Sequence, residues 1–264
     1  MKLAEAMKEK MLLSFELFPP KTEKGMENLP GTIEHLCKYK PEYISCTYGA
    51  GGGNVGANRE VCQMIKKAGP VPVTHFTVIR NTKEGIKEQL DQYLAEGVDH
   101  MLALRGDLPL GETTTCGDFN YATDLVKFVK DQYGDKFEIA VAGSPEGHIA
   151  CRSLEADISV LRQKQDNGAD YIMTQLCWDM EQFKRWLDAI RKAGVTMPVD
   201  VGIMPILDQA ATINMALSRN GCVMDRELSR MISRHWLFPN PFNPKDADGK
   251  PFDMFYDKKV KEFK

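Results

Sequence analysis

No run of apolar residues in this sequence approaches the roughly 18 needed to cross a bilayer as a helix, and no membrane partner is expected. Residues 1–10 have no apolar stretch of the kind a secretion signal carries, so they are expected to form a short polar helix or tail. Charge of one sign is not in excess either. Lys and Arg number 34 against 37 Asp and Glu, a formal net charge of −3, which leaves no electrostatic footprint for nucleic acid. Among the seven cysteines, Cys37, Cys46, Cys62, Cys116, Cys151, Cys177 and Cys222, there is no Cys-x-x-Cys pair. Zinc-ribbon and thioredoxin-type readings therefore fall away. The odd count and the missing secretion signal point to free thiols in a reducing compartment, hence the cytoplasm. His75 and His148 each lack a second histidine at metal-ligand spacing, so no metal site is expected. No linker or shift of composition divides the 264 residues, enough for one large domain with a substantial core.

What the sequence does contain is alternation. Seven short apolar or β-branched runs recur roughly every 30 residues, one strand–helix unit each. They are Leu12–Leu17, Tyr43–Tyr48, Val71–Val78, His100–Leu104, Phe137–Ala142, Tyr171–Leu176 and Val199–Met204. Continuous apolar runs of this length suit parallel strands covered on both faces. The intervening helices carry end signals. Asn81 with Glu84 forms a candidate capping box before 86–96, with Gly97 as the stop. Asp179 with Gln182 repeats it before 183–193, with Gly194 as the stop, and Gly134 and Gly168 end two more helices. The class is α/β, either a doubly wound sheet or a closed barrel. An eighth strand is not evident. From Trp236 onward the sequence is loop chemistry rich in Pro and Asn, followed by a short basic segment.

In a β/α barrel, chemistry sits at the C-terminal ends of the strands. Those ends carry Glu16, Thr47 and Tyr48, His75 and Thr77, Arg105-Gly106-Asp107, Ser144 and His148, and Thr174-Gln175. Each buried polar group costs free energy unless paired, so several converging on one rim suggest a site. Glu16 lies between Phe15 and Leu17. A carboxyl in apolar surroundings is desolvated, stays protonated towards neutral pH and suits a general acid; the plainer alternative is a glutamate paired with a nearby Lys or Arg. Gly106 allows close backbone approach to a ligand. Asp107 is placed to accept hydrogen bonds from a heterocycle such as a pterin, or else to close its loop by pairing with Arg105. The loop after the second strand contains a formal Gly-x-Gly-x-x-Gly, at Gly51, Gly53 and Gly56. The acidic residue that a dinucleotide site wants on the next strand is replaced by Thr74-His75-Phe76, so the fingerprint is rejected in favour of a flexible loop.

Four strings occur in order: Ser-Phe-Glu-Leu-Phe-Pro-Pro at 14–20, Ser-Cys-Thr-Tyr-Gly-Ala at 45–50, Ala-Leu-Arg-Gly-Asp-Leu-Pro at 103–109, and Thr174-Gln175. Together they resemble the methylenetetrahydrofolate reductase family, over roughly residues 12 to 234. The resemblance implies a TIM-type (β/α)8 barrel, its eighth βα unit missing or atypical here, forming one flavin-binding domain over residues 1–264. It implies reduction of 5,10-methylenetetrahydrofolate to 5-methyltetrahydrofolate by hydride transfer through flavin N5, a step in one-carbon metabolism that feeds methionine biosynthesis. Glu16 matches the family's general acid, Asp107 the aspartate near flavin and pterin, and Gln175 the glutamine that contacts folate and nicotinamide in turn. Thr47 matches a nicotinamide contact. Tyr48, Ala50, His75, Arg105, Gly106, Ala122, Ser144, His148, Asp157 and Lys164 fall on flavin-binding positions.

Ser144 stands where an aromatic residue often lines the flavin, and Val160 and Gln163 stand where polar and basic residues help hold the diphosphate–adenosine part. FMN is therefore the alternative to FAD. The family's last strand, with an Arg that helps bind folate, has no counterpart before Lys264. The donor is expected to be NADH, NADPH or a redox partner protein, and the assembly a homo-oligomer or hetero-complex. Two other readings use the same residues: a pterin-binding barrel methyltransferase that needs no flavin, and a reductase subunit active only with its partner.

Overall fold

The computed structural model describes residues 2–48, 55–108, 113–148 and 151–204. The chain alternates helix and strand: α1 (Leu3–Glu9), β1 (Ser14–Leu17), α2 (Glu23–Cys37), β2 (Tyr43–Cys46), α3 (Val55–Ala68), β3 (Val71–Thr77), α4 (Lys83–Ala95), β4 (His100–Leu104), α5 (Ala122–Tyr133), β5 (Glu138–Gly143), α6 (Leu154–Asp166), β6 (Tyr171–Thr174), α7 (Met180–Lys192) and β7 (Val199–Asp200). All seven strands are parallel, and each pairs with its neighbour in sequence, in the order β1-β2-β3-β4-β5-β6-β7. A doubly wound sheet would reverse its strand order at a switch point. This sheet never does; it curls as a β/α barrel does. The stretch expected to hold an atypical eighth unit, 205–264, lies outside the described residues, as does the glycine-rich loop at 49–54.

Alternation along the strands separates two cores. Outward residues such as Ile44, Phe76, Met101, Ile139, Val141 and Ile172 pack against the helices, meeting Val61, Ile65, Leu90, Val126, Trp186 and Ile190. Inward residues Tyr43, Val73, Leu102, Ala140 and Tyr171 form a second, smaller cluster with Leu3 and Ala4 of α1. The N-terminal segment is the short helix expected from its composition, but it is docked and not free. Leu3 and Ala4, with Met7 packed beside them, plug the barrel floor, and the backbone is tied there. The N–H groups of Leu3 and Ala4 donate to the Glu138 carboxylate at 2.8 and 2.7 Å. Glu138 also meets His100 Nε2 at 2.8 Å, and His100 Nδ1 meets Asp99 at 2.6 Å. Burial opposes a charge on this imidazole, but the two carboxylates outweigh it and hold its pKa up to about 9.

Helix ends follow the sequence signals with small shifts. Thr82, not Asn81, caps α4, accepting from Gly85 N at 3.1 Å. Asn81 instead donates to the carbonyls of Thr77 and Ile79 and so ties down the turn after β3. Asp179 caps α7 as read, accepting from Glu181 N and Gln182 N. Gln182 does not reciprocate; its amide donates to Pro145 O. The seventh strand is shorter than its apolar run. Beyond Asp200, Gly202 N turns to the Thr174 side chain at 2.9 Å.

Candidate active site at the barrel mouth

β1 delivers Glu16 to the inner face. Phe15 and Leu17, its apolar neighbours in sequence, point outward and pack on the helix-side core. The environment of Glu16 is therefore the barrel wall and not those two side chains. Its carboxyl is 46% accessible at the open mouth, and Oε2 lies 3.5 Å from Nε2 of the buried His75 on β3. Burial holds the His75 pKa down to about 4, so its ring is neutral at pH 7 and supplies no compensating charge. The surrounding protein, and then the negative field of Asp200, raise the Glu16 pKa. Water reaches the tip of this carboxyl, but protein encloses it on the other sides, which is how a half-accessible group is still partly desolvated. Among the described residues no Lys or Arg forms an ion pair with Glu16, so the plainer alternative for that residue has no support.

Around Glu16 the inner face carries buried polar atoms with no hydrogen-bond partner among the described residues: Ser45 Oγ, His75 Nε2 and Thr77 Oγ1, and on inward side chains nearer the floor Tyr43 Oη and Tyr171 Oη. Buried polar groups in native proteins are nearly always satisfied. Five such atoms on the inner wall of one barrel mark a space built to receive polar atoms from a ligand or water.

A second group of residues stands over β4, β5 and α6. Gly106 has φ +89°, and a Cβ there would lie 2.9 Å from Ile79 Cγ2; the chain can turn here only as glycine. Arg105 Nε donates to Gly106 O at 3.2 Å, and Asp107 is exposed; among the described residues the two form no ion pair. His148 N donates to Asp157 Oδ2 at 3.1 Å, and Lys164 Nζ donates to Ala142 O at 2.9 Å. Burial lowers the His148 pKa, and the ring sits in the combined field of Asp157, Arg105, Lys164 and Asp107. Arg105, Asp107, Asp157 and Lys164, from separate segments, thus lie within electrostatic reach of the His148 ring. Ser144 lies half-buried in the turn after β5, its carbonyl accepting from Gly147 N. Ala122 is the first residue of α5. Val160 and Gln163 are exposed on α6.

The remaining residues divide. Thr47 is half-buried just past β2, its N–H donating to Leu17 O at 2.9 Å. Tyr48 points the other way: it is buried against Phe76, and its hydroxyl donates to Gln89 of α4. Gln175 follows β6, its N–H donating to Gly143 O and its side-chain oxygen accepting from Leu176 N. Ala50 lies outside the described residues.

Two residues escaped the sequence reading. Asn58 of α3 is fully buried and fully used. Its amide donates to the carbonyls of Cys46 and Thr47 at 2.9 and 3.1 Å, and its oxygen accepts from Thr74 and Tyr93, both at 2.7 Å. An asparagine within an amphipathic helix gives no sign of that. Asp200 did carry a sign, an acidic residue inside the apolar run Pro-Val-Asp-Val. Among the described residues no cluster of His, Cys, Asp and Glu could hold a metal ion, and no helix is long and apolar enough to cross a membrane.

Comparison with known proteins follows the same lines. The protein-family model described as methylenetetrahydrofolate reductase matches residues 2–228. Methylenetetrahydrofolate reductase 1 of Schizosaccharomyces pombe is 38% identical over 204 residues, covering 75% of this chain and 34% of that protein. Methylenetetrahydrofolate reductase (NADH) 1 of Arabidopsis thaliana is 36% identical, covering 77% and 36%. The 5,10-methylenetetrahydrofolate reductase of Escherichia coli is 35% identical, covering 74% and 64%. The matched region thus spans about a third of the yeast and plant proteins and just under two thirds of the bacterial one. Among solved structures, a Clostridium thermocellum protein that binds two copies of 5-methyl-5,6,7,8-tetrahydrofolic acid aligns with a TM-score of 0.62 at 13% identity, over 89% of this chain and 80% of that one. Phosphonopyruvate hydrolase aligns at 0.52 and 14%, over 88% and 82%. Likeness at such identities speaks for the barrel fold alone.

Proposed function

The chain belongs to the methylenetetrahydrofolate reductase family, and from that premise we propose that it reduces 5,10-methylenetetrahydrofolate to 5-methyltetrahydrofolate at the barrel mouth, with Glu16 as general acid. The observation that carries this reading is the position of Glu16. A carboxyl group at the open end of the barrel, its pKa raised by burial and lying among unsatisfied polar atoms, is what a proton donor to a bound substrate requires.

The residues present fit a flavin. His75 Nε2 and Thr77 Oγ1 are buried donors or acceptors without a hydrogen-bond partner among the described residues. Gly106 leaves the backbone bare beside them, and Arg105, Asp157 and Lys164 supply a charged wall around the His148 ring. FAD is the form the family suggests. Ser144, and the exposed Val160 and Gln163, leave FMN as its alternative. Bound there, a flavin would supply hydride transfer between a reduced donor, NADH or NADPH, and the folate methylene carbon.

Every other task falls to side chains. Glu16 gives its proton to N10 of the folate, opening the five-membered ring and leaving the methylene carbon as an iminium ready for hydride. Asp107, exposed at the rim, holds the pterin and keeps negative charge near that cation. Gln175 and Thr47 orient substrate and nicotinamide in turn; the Gln175 side chain must first release Leu176 N. The six cysteines among the described residues are free thiols, which supports a cytoplasmic setting.

The test begins with the absorbance spectrum of the purified protein and identification of the released flavin; a colourless protein would remove the reductase reading and favour the methyltransferase. Stopped-flow measurement of the two half-reactions follows. Glu16→Gln should keep flavin reduction by the donor and lose folate reduction by two to four orders of magnitude, about the range a positioned acid contributes. Near-normal folate turnover in that variant would exclude the acid role.

A further inference from the structure

The turn that follows β3 is held more firmly than a connection needs. Asn81 N donates to Val78 O at 3.1 Å and closes a four-residue turn in which Arg80 takes φ +56°. An arginine rarely adopts this left-handed conformation, which persists only where the surroundings fix it. Here they do. Arg80 N donates to Thr115 O at 2.7 Å, and Asp118 N donates to Asn81 O at 3.1 Å. A Cβ on Gly117 would collide with Asn81 O, so this loop lies against the turn. The Asn81 side chain works on the other side. Its Nδ2 group donates to Thr77 O at 3.1 Å and to Ile79 O at 3.2 Å. Carbonyls only accept, so the amide nitrogen faces them and the oxygen faces away. That oxygen accepts from Gln89 Nε2 of α4 at 3.1 Å, and Gln89 Oε1 accepts from the Tyr48 hydroxyl at 2.5 Å. One chain of donors thus runs from the end of β2, through α4, to the end of β3, and the buried Tyr48 is its anchor.

Thr77 and Ile79, whose carbonyls Asn81 holds, are also the seat of Gly106. A Cβ on Gly106 would lie 2.9 Å from Ile79 Cγ2 and 3.2 Å from Thr77 Cβ. The turn after β4 therefore rests directly on the turn after β3. Arg105 and Asp107 flank the glycine that makes this contact. Gly106 has no side chain to take up a shift of Ile79, and close-packed groups pass such a shift on. We propose that Asn81 is a positioning residue for the reductase reaction: it fixes Thr77 and Ile79 as the seat of Gly106 and so sets where Asp107 stands against the folate. The inference rests on the folate contact given to Asp107 above. Asn81 acts only through the Gly106 turn, so its effect on the reaction depends on the side chain at 107.

The experiment is a double-mutant cycle on the two half-reactions. Asn81→Ala should slow folate reduction by about ten- to a hundredfold, a misplacement of about 1 Å costing as much as the larger figure, and slow flavin reduction much less. In an Asp107→Asn background the same substitution should add less than about twofold, since the side chain it misplaces no longer does its work. A purely structural loss would multiply the two effects, and that result overturns the inference. Assigned amide resonances of 15N-labelled protein give a readout independent of turnover. Those of Gly106 and Asp107 should move in Asn81→Ala, while those of His100 to Leu102, at the other end of β4, stay in place. Unmoved Gly106 and Asp107 resonances also overturn it. If Asn81→Ala does not fold, Gln89→Leu frees the Asn81 oxygen and leaves its donors in place; it should move the same resonances and show the same dependence on Asp107, and its failure to do either counts against the inference equally. A wild type that reduces no folate removes the reductase reading, and the resonances then decide whether Asn81 sets the Gly106 turn. A wild type that reduces folate, with effects that multiply, removes the positioning role and leaves the reductase reading standing.

Discussion

Individual side chains in this barrel show how one residue type takes opposite states. Glu16 faces the mouth with no Lys or Arg paired to it among the described residues and has its pKa raised, whereas Glu138 on the floor has its pKa lowered, because His100 and two backbone N–H groups outweigh the cost of its burial. The floor has a pH signature. His100 is raised from 6.5 in the unfolded chain to about 9 in the fold, so its contribution is complete below pH 6.5 and is lost as pH rises through 9. Thermal unfolding should show stability falling over that interval by on the order of 2–3 kcal/mol, and His100→Gln should abolish the slope. At the rim, Asp107→Asn should slow folate reduction at least tenfold and flavin reduction much less; equal slowing of both half-reactions would move Asp107 from a folate contact to a flavin contact. Glu16 was legible in the sequence because a carboxyl in an apolar strand is conspicuous. The source of its environment was not, since Phe15 and Leu17 turn away and the wall around the carboxyl comes from other strands.

At the scale of elements, the site is held by what ends each strand. The turn after β4 needs Gly106. Gly106→Ala would put a methyl 2.9 Å from Ile79 and force a side chain into φ +89°, a cost of about 1–3 kcal/mol. Equilibrium denaturation should register that loss, and flavin retention on gel filtration should fall with it, because Arg105 and Asp107 ride on the same turn. The end of β2 is held from behind by α3 through Asn58. Asn58→Ala takes a donor from two carbonyls and the acceptor from the Tyr93 hydroxyl, while the Thr74 hydroxyl keeps His75 O, and should cost about 3 kcal/mol, one buried unsatisfied group alone costing about 1–3. Hydrogen exchange at Thr47 and Tyr48 should rise in that variant; unchanged protection there would show that α3 does not position the strand end. The glycine stops at Gly97, Gly168 and Gly194 all take positive φ, as their place after each helix predicts. The cap at Thr82 in place of Asn81 shows the limit of such reading: both residues can cap, and the contacts of the turn after β3 choose between them.

For the whole molecule, closure of the barrel floor is the feature composition concealed. Residues 2–10 look polar, yet Leu3 is wholly buried and α1 donates two hydrogen bonds to a charged carboxylate. Deleting them should cost on the order of 5 kcal/mol, from one buried leucine and two charge-assisted bonds, measurable as a lowered urea midpoint. A deletion that leaves the midpoint unchanged would make α1 an ornament of the floor and not its plug.

The sequence by itself determined the α/β class, the number and order of the seven strand–helix units, most helix ends, and a rim of polar residues headed by Glu16. These are local properties, written in periodicity, in glycine stops and in polar residues that interrupt apolar runs. Only the tertiary structure decided between an open wound sheet and a curled barrel, because strand order is a matter of pairing between distant segments. It alone turned Tyr48 outward against Gln89, buried Asn58 behind β2, and tied α1 to Glu138, since which face a residue presents, and to whom, follows from contacts between segments that are distant in the chain.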